Sequence, residues 1–263
     1  MLLQIIVGVL LAMLVVMLAA WAFGLAVKNG GWTDVFWSFG TGVVLAGAAF
    51  VATGTDTSHA RGLLVAAFML VWGLRLGLYL APRVAGHPED ARYAEFRRTA
   101  KNYPLMMLWV SLPQAPASAL LALSVVVAAK RPLAHLDFRD GLAVAIFGLA
   151  IVGEATADAQ MKRFRSDPAN RGKVMASGLW AWSRHPNYFF QWLGWVAYPV
   201  MALNPSQPIT FLTLIAPAVM YGLLRHVSGV PPLEAAILAS RGDTFRDYQK
   251  RVSVFFPLPP RAR

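Results

Sequence analysis

The sequence predicts an all-α, polytopic membrane helix bundle of about seven transmembrane helices, with the N-terminus outside and the C-terminus cytoplasmic. Three observations carry that expectation. The 263 residues are 57% hydrophobic and only 14% charged, with a mean hydropathy of +0.51, a balance that leaves too little polar surface for a body surrounded by water. Apolar runs lie near 2–27, 35–53, 62–81, 105–129, 141–157, 188–203 and 209–224, and most are long enough to cross a hydrocarbon core of ~30 Å at ~1.5 Å per residue. The cations gather in alternate connections, as the positive-inside tendency asks of cytoplasmic loops.

The first run has no Lys or Arg ahead of its apolar core and is too long for a signal peptide, so it is expected to stay as a helix. Its first cation, Lys28, marks its cytoplasmic end. The second helix begins Trp32-Thr33-Asp34-Val35-Phe36-Trp37, which puts Asp34 in the first turn. An Asp there is ordinarily a cap or a dipole partner; in its protonated form, enclosed by Trp and Phe, it can donate a hydrogen bond to a substrate carbonyl. The third helix carries Arg75 and Tyr79 one turn apart and then Arg83, and an arginine inside a spanning helix needs an anion or a polar cavity. Beyond it, Arg92, Arg97, Arg98 and Lys101 mark a cytoplasmic loop, in which Glu89-Asp90-Ala91-Arg92-Tyr93 reads as a salt-bridged turn.

One loop opposes this topology. Lys130, Arg131 and Arg139 follow the fourth run on the expected outer side, accompanied by Asp137 and Asp140. The fifth helix then carries Glu154 and Asp158 one turn apart near its cytoplasmic end, followed by Lys162 and Arg165. A charge in a spanning helix costs ~2.5–3.5 kcal/mol at the centre and less near the end. These carboxylates therefore either pair with Arg163 or Arg165, or accept hydrogen bonds from sugar hydroxyls or an amide while the arginines hold phosphate.

The densest local signal is Ser177-Gly178-Leu179-Trp180-Ala181-Trp182-Ser183-Arg184-His185-Pro186-Asn187-Tyr188, which runs into the sixth helix. Pro186 suits a first helical turn, and the amides that follow, with Arg184, make a phosphate site; the alternative is an interfacial anchor. Asn187 and Gln191 share one face. In the tail, Phe245, Tyr248, Val252 and Phe255 recur at roughly helical spacing among Arg246, Lys250 and Arg251, the pattern of an interfacial amphipathic helix that stops at Pro257.

The chain reads as a single integral membrane domain, 1–263, with no internal repeat. Its long connections, 83–104, 158–187 and 225–263, all fall on the cytoplasmic side. Loops of that kind suit a soluble ligand, with a charged lipid-binding surface as the alternative. The net charge of +11 does not point to nucleic acid, because the cations sit at helix ends where they meet membrane lipid headgroups. With no Cys and no close His pair, disulfides, thiolate metal sites and a tightly held transition metal are not expected.

The segment Gly178-Leu179-Trp180 through Ser183-Arg184-His185-Pro186-Asn187-Tyr188 resembles the membrane steroid 5-alpha-reductase family and its bacterial 3-oxo-5-alpha-steroid 4-dehydrogenase-like relatives. Arg246-Asp247-Tyr248-Gln249-Lys250-Arg251-Val252-Ser253 with Phe256-Pro257 resembles that family's closing signature, and Ser228-Gly229-Val230-Pro231-Pro232-Leu233-Glu234 the stretch before it. Trp32 to Trp37, Arg75 to Tyr79 and Glu89 to Tyr93 are similar to the bacterial branch, so the likeness covers most of the chain from about residue 32 onward.

The resemblance implies a seven-helix protein of a bacterial inner membrane, loaded with NADPH from the cytoplasm, that transfers hydride to the enone C=C of a 3-oxo-Δ4 steroid or similar lipid. It implies that Asp158, Arg165, Asn187 and Gln191 hold the ribose and phosphate groups and that Trp32 packs near the dinucleotide. Arg75, Arg83, Glu154, Arg184, His185, Tyr188 and Tyr248 complete the implied cofactor set. Glu154 falls where the animal enzymes have Asn, and Gln191 where they have Glu. For the family's carbonyl-polarising acid and phenol the nearest residues are Asp34 and Tyr79, with Trp72 at the Tyr position when the third helix is aligned on Arg75. An S-adenosylmethionine-dependent methyltransferase of the isoprenylcysteine carboxyl methyltransferase type is the nearest rival, since it shares an Arg-His-Pro-x-Tyr segment; that type ends with paired acids, and here Glu234 stands singly. A non-enzymatic lipid-binding or transport protein is the third reading.

Overall fold

The computed structural model describes residues 1–53, 57–89 and 91–261, and all regular secondary structure among them is helical. Among the described residues, six helical stretches are long and apolar enough to cross a membrane: Leu2–Ala26, Trp32–Ala52, His59–Ala85, Tyr103–Ala129, Phe138–Ser166 and Pro208–Arg251. The run expected near 188–203 forms a helix, Pro186–Ala202, but it has 17 residues with Pro199 inside it and is not one of the six. At ~1.5 Å per residue it reaches about 26 Å, somewhat less than a hydrocarbon core.

The chain divides into two compact units, Met1–Asp140 with Ala202–Ala216, and Gly141–Met201 with Pro217–Arg263. The first is built on α1 (Leu2–Ala26), α2 (Trp32–Ala52), α3 (His59–Ala85), the short α4 (Ala91–Thr99), α5 (Tyr103–Ser111) and α6 (Gln114–Ala129). Ser58 caps α3 by accepting from the Arg61 amide, and Asn102 caps α5 by accepting from Leu105. Small residues let the backbones of α2 and α3 approach: a Cβ on Gly42 would lie 2.8 Å from Gly73 Cα, and one on Gly73 would lie 2.7 Å from Gly42 Cα. Hydroxyls join α2 to α6, with Ser118 Oγ 3.0 Å from both Trp37 Nε1 and Thr41 Oγ1. Without a hydrophobic drive between helices in lipid, such close packing and polar ties do the holding.

The loop that opposed the topology holds its arginines in hydrogen bonds within the unit. Arg61 is fully buried, and its five N–H groups all find acceptors: both Asp140 oxygens and the carbonyls of Arg131, Leu133 and His135. Arg131 pairs with Asp137, whose carboxyl is held far below its ordinary range by that guanidinium, and Arg139 donates to the Leu203 carbonyl. Arginines bound in this way are weak topological signals, because their N–H groups already have protein acceptors.

The second unit holds most of α7 (Phe138–Ser166), then α8 (Pro186–Ala202), part of α9 (Ile215–Gly222) and α10 (Val230–Arg251). α9 runs into a π-helical turn, Leu223–Val227. A 3-10 turn, Gly178–Ala181, folds back on α7: Leu179 N donates to Gln160 Oε1 (3.0 Å) and Trp180 Nε1 to Ala157 O (3.1 Å). Gly178 permits this, for its φ is +60° and a Cβ there would lie 2.7 Å from the Gln160 side chain.

The tail departs from expectation. α10 ends at Arg251, before Pro257, and is interrupted at Gly242 (φ 52°). Its apolar face is not turned to lipid: Phe245, Tyr248 and Val252 form a buried cluster with Val174, Ile237 and Leu238, and Phe255 is buried as well. Amphipathic spacing identifies the face that is covered, but lipid and protein cover it equally well by that criterion.

Candidate functional site

In the second unit α7 contributes Glu154 and Asp158, both buried, and α8 contributes Asn187 and the buried Gln191. The helices pack closely where Gly153 meets Phe190; a Cβ on that glycine would lie 2.4 Å from the ring. Asn187 Nδ2 donates to Asp158 Oδ1 at 3.3 Å, which fixes the amide orientation and leaves Oδ1 as a buried acceptor with no protein partner. Arg165 is exposed beyond the end of this face, with Lys162 and Arg163 as further cations on the same helix.

Arg184 and His185 are gripped by α10 and the segment after it. Arg184 Nε donates to Glu234 Oε1 (2.7 Å), and its terminal nitrogens donate to Glu234 Oε2 and to the carbonyls of Gln249 and Val252. Its backbone N–H donates to Ser253 O (2.7 Å) in a short parallel bridge between Ser183 and Ser253. His185 Nε2 lies 2.9 Å from Glu234 Oε1, and Gln249 Nε2 donates to Glu234 Oε2 (2.7 Å). Burial holds the imidazole below its ordinary value of 6.5, against the pull of Glu234. Tyr188 stacks on the His185 ring, and Tyr248 donates its O–H to the Trp180 carbonyl. The structure thus gives Arg184 the work of joining α8 to α10.

In the first unit Asp34 accepts from the buried Tyr93 O–H, with both carboxylate oxygens at 3.2 Å. Tyr79 lies instead between two guanidiniums, Arg75 at 5.3 Å and Arg83 at 5.0 Å from its ring centre. Trp32 packs edge-on against Phe23 of α1, and Trp72 edge-on against Trp37. Glu89, at the start of the segment read as a salt-bridged turn, finds its partners outside that segment: it accepts from Gly30 N (2.7 Å), Arg97 Nε (2.9 Å) and Tyr103 O–H (3.0 Å). Burial raises the Glu89 carboxyl, but these donors outweigh it and the net shift is downward. Asp90 lies outside the described residues.

A family model described as a protein of unknown function, DUF1295, matches residues 20–252. The chain belongs to the DUF1295 family. This family is related to the steroid 5-alpha-reductases. Among curated proteins, the uncharacterized protein C594.04c of Schizosaccharomyces pombe is 24% identical over 265 residues, which cover 90% of this chain and 75% of that one. No solved structure matches. The DUF1295 match includes every candidate residue from Trp32 to Tyr248, and also Glu234 and Gln249.

Sequence reasoning missed three partners within that DUF1295 span. Tyr93 was visible only as the end of a charged turn, and its meeting with Asp34 is a contact across 59 residues. Gln249 was visible only as part of the closing signature, with no partner indicated. Glu234 did carry one, for a lone acid in Pro-Leu-Glu-Ala-Ala needs a partner, and Arg184 and His185 supply it.

Proposed function

We propose that this chain is an NADPH-dependent membrane reductase acting on the enone C=C of a 3-oxo-Δ4 steroid or similar lipid, in a bacterial inner membrane, with the nucleotide entering from the cytoplasm. The observation that carries the reading is the acceptor character of the buried α7–α8 face. Glu154 and Asp158 bring carboxylate oxygens and Asn187 and Gln191 amide groups to this face, and the Asn187 Oδ1 is a buried acceptor without a hydrogen-bond partner in the protein. Ribose hydroxyls and a carboxamide are donors, so the residues present fit that part of the cofactor. The relation of the DUF1295 family to the steroid 5-alpha-reductases supports the same chemistry.

NADPH, when bound, supplies the hydride. Asp158 and Asn187, already tied to each other, orient the ribose end, and Glu154 and Gln191 accept from its neighbouring groups. Lys162, Arg163 and Arg165 place cations at the end of α7, a charge that suits phosphate. Within the first unit, the Asp34–Tyr93 pair has the chemistry to hold a ketone oxygen, because there a phenol already meets a carboxyl. A proton held on that pair hydrogen-bonds the ketone and stabilises the developing enolate.

The test is a thermal melt of the purified protein in detergent with NADPH and with S-adenosylmethionine. A site filled at 100 times its Kd stabilises by ~2.7 kcal/mol. Stabilisation by NADPH alone supports the reductase. Stabilisation by S-adenosylmethionine alone assigns the chain to the methyltransferases, and a shift with neither leaves a lipid-binding protein.

A further inference from the structure

Three groups converge on the Glu234 carboxylate: the Arg184 guanidinium, the Gln249 amide and the His185 ring. Two of them only donate, and Arg184 beside it keeps Glu234 ionised and therefore acceptor-only. The His185 Nε2, 2.9 Å from Oε1, must then carry hydrogen. In a neutral imidazole this makes Nδ1 the acceptor. His185 is 2% exposed, and its Nδ1 is a buried atom without a hydrogen-bond partner in the protein. Two residues on, Asn187 Oδ1 is in the same condition.

We propose that Glu234 is a positioning residue that locks His185 in its Nε2–H tautomer, so that Nδ1 accepts a hydrogen bond from a neutral donor of the bound ligand, an amide N–H or a hydroxyl. The inference rests on the reading of the α8 entrance as a nucleotide site and sharpens it. Arg184 and His185 do not form the phosphate-binding element, since the charge of the first is met by Glu234 and the second is neutral. The burial that lowers the His185 proton affinity acts in the same direction. An acceptor buried without a donor costs about 1–3 kcal/mol, which a ligand donor recovers on binding.

The tautomer is read on the ligand-free protein by nitrogen NMR of labelled histidine, with the His185 signal identified by its loss in His185→Asn. A protonated Nε2 and a bare Nδ1 are expected; a protonated Nδ1 overturns the proposal. The ligand half is read from NADPH affinity in two variants that separate the ring nitrogens. His185→Asn keeps a carbonyl near the Nδ1 position but does not reach Glu234, whereas His185→Gln reaches Glu234 and loses the acceptor. The proposal expects His185→Asn to bind within about threefold of the parent and His185→Gln at least about tenfold more weakly. The reverse order is that of a purely structural His185–Glu234 tie and overturns it. If the parent protein takes up no NADPH, the reductase reading fails and the ligand half with it, while the NMR signal still decides whether Glu234 sets the tautomer.

Discussion

Two ion-pair networks, a buried one in the first unit and a partly buried one in the second, are built from similar groups and closed to different degrees. Around Arg61, five N–H groups meet five acceptor contacts, and the network is complete within the protein. Around Glu234, the carboxylate is also fully engaged, but its partner His185 keeps a ring nitrogen without a protein donor. A saturated network holds chain segments together and offers nothing to a ligand. An unsaturated one carries a desolvation cost that only a bound group relieves, and this is the reason to look for chemistry beside Glu234 rather than beside Arg61.

The largest effect expected is from Arg61→Met, which takes from the buried Asp140 its bidentate partner and leaves it the Asp137 amide and Arg131 at 3.8 Å. Losing one partner of a buried pair costs about 3–5 kcal/mol, and the loss is read as a fall in melting temperature in detergent. Equal melting of variant and parent would show that the Arg61 network is dispensable. Glu234→Ala breaks the second network. Its partners keep some exposure, so the stability loss is smaller, about 2 kcal/mol, and NADPH affinity falls with it. If affinity stayed at the parent value, the two networks would be alike and both structural.

Asn187→Ala removes the other open acceptor and the tie to Asp158. It is expected to weaken NADPH binding about tenfold with little change in melting of the ligand-free protein. Asp34→Asn and Tyr93→Phe are expected to slow turnover by about a hundredfold with the nucleotide affinity kept, and turnover at the parent rate would remove the pair from the chemistry. The smallest effect concerns Glu89. Its folded value is depressed below 4.5, so its contribution is present above that pH and is lost as pH falls through the lower folded value. The melting temperature of the parent should therefore decline below about pH 4.5 more steeply than that of Glu89→Gln, as followed by acid melts of both.

Much of this was legible in the chain. Asp158 and Asn187 were each marked as polar residues at the edge of an apolar run, and they meet because α7 and α8 pack with those faces together. Arg184 was read as a phosphate ligand from its place before a helix, yet the group that meets it lies 50 residues on. The family resemblance pointed to Tyr79, the nearest tyrosine in the third helix, as the phenol, and the carboxyl of Asp34 is met by Tyr93.

Composition and the lengths of the apolar runs determined by themselves that this chain is helical and made for a membrane, because lipid leaves the backbone no other source of hydrogen bonds along a single segment. Asp34, Glu154 and Asp158 likewise stood out unaided, since a charge is costly in that setting wherever the chain turns. Which donor meets which acceptor was decided only by the tertiary structure. Hydrogen bonds reach about 3 Å, and the sequence holds no record of which residues, 29 or 59 positions apart, the packing brings within that distance.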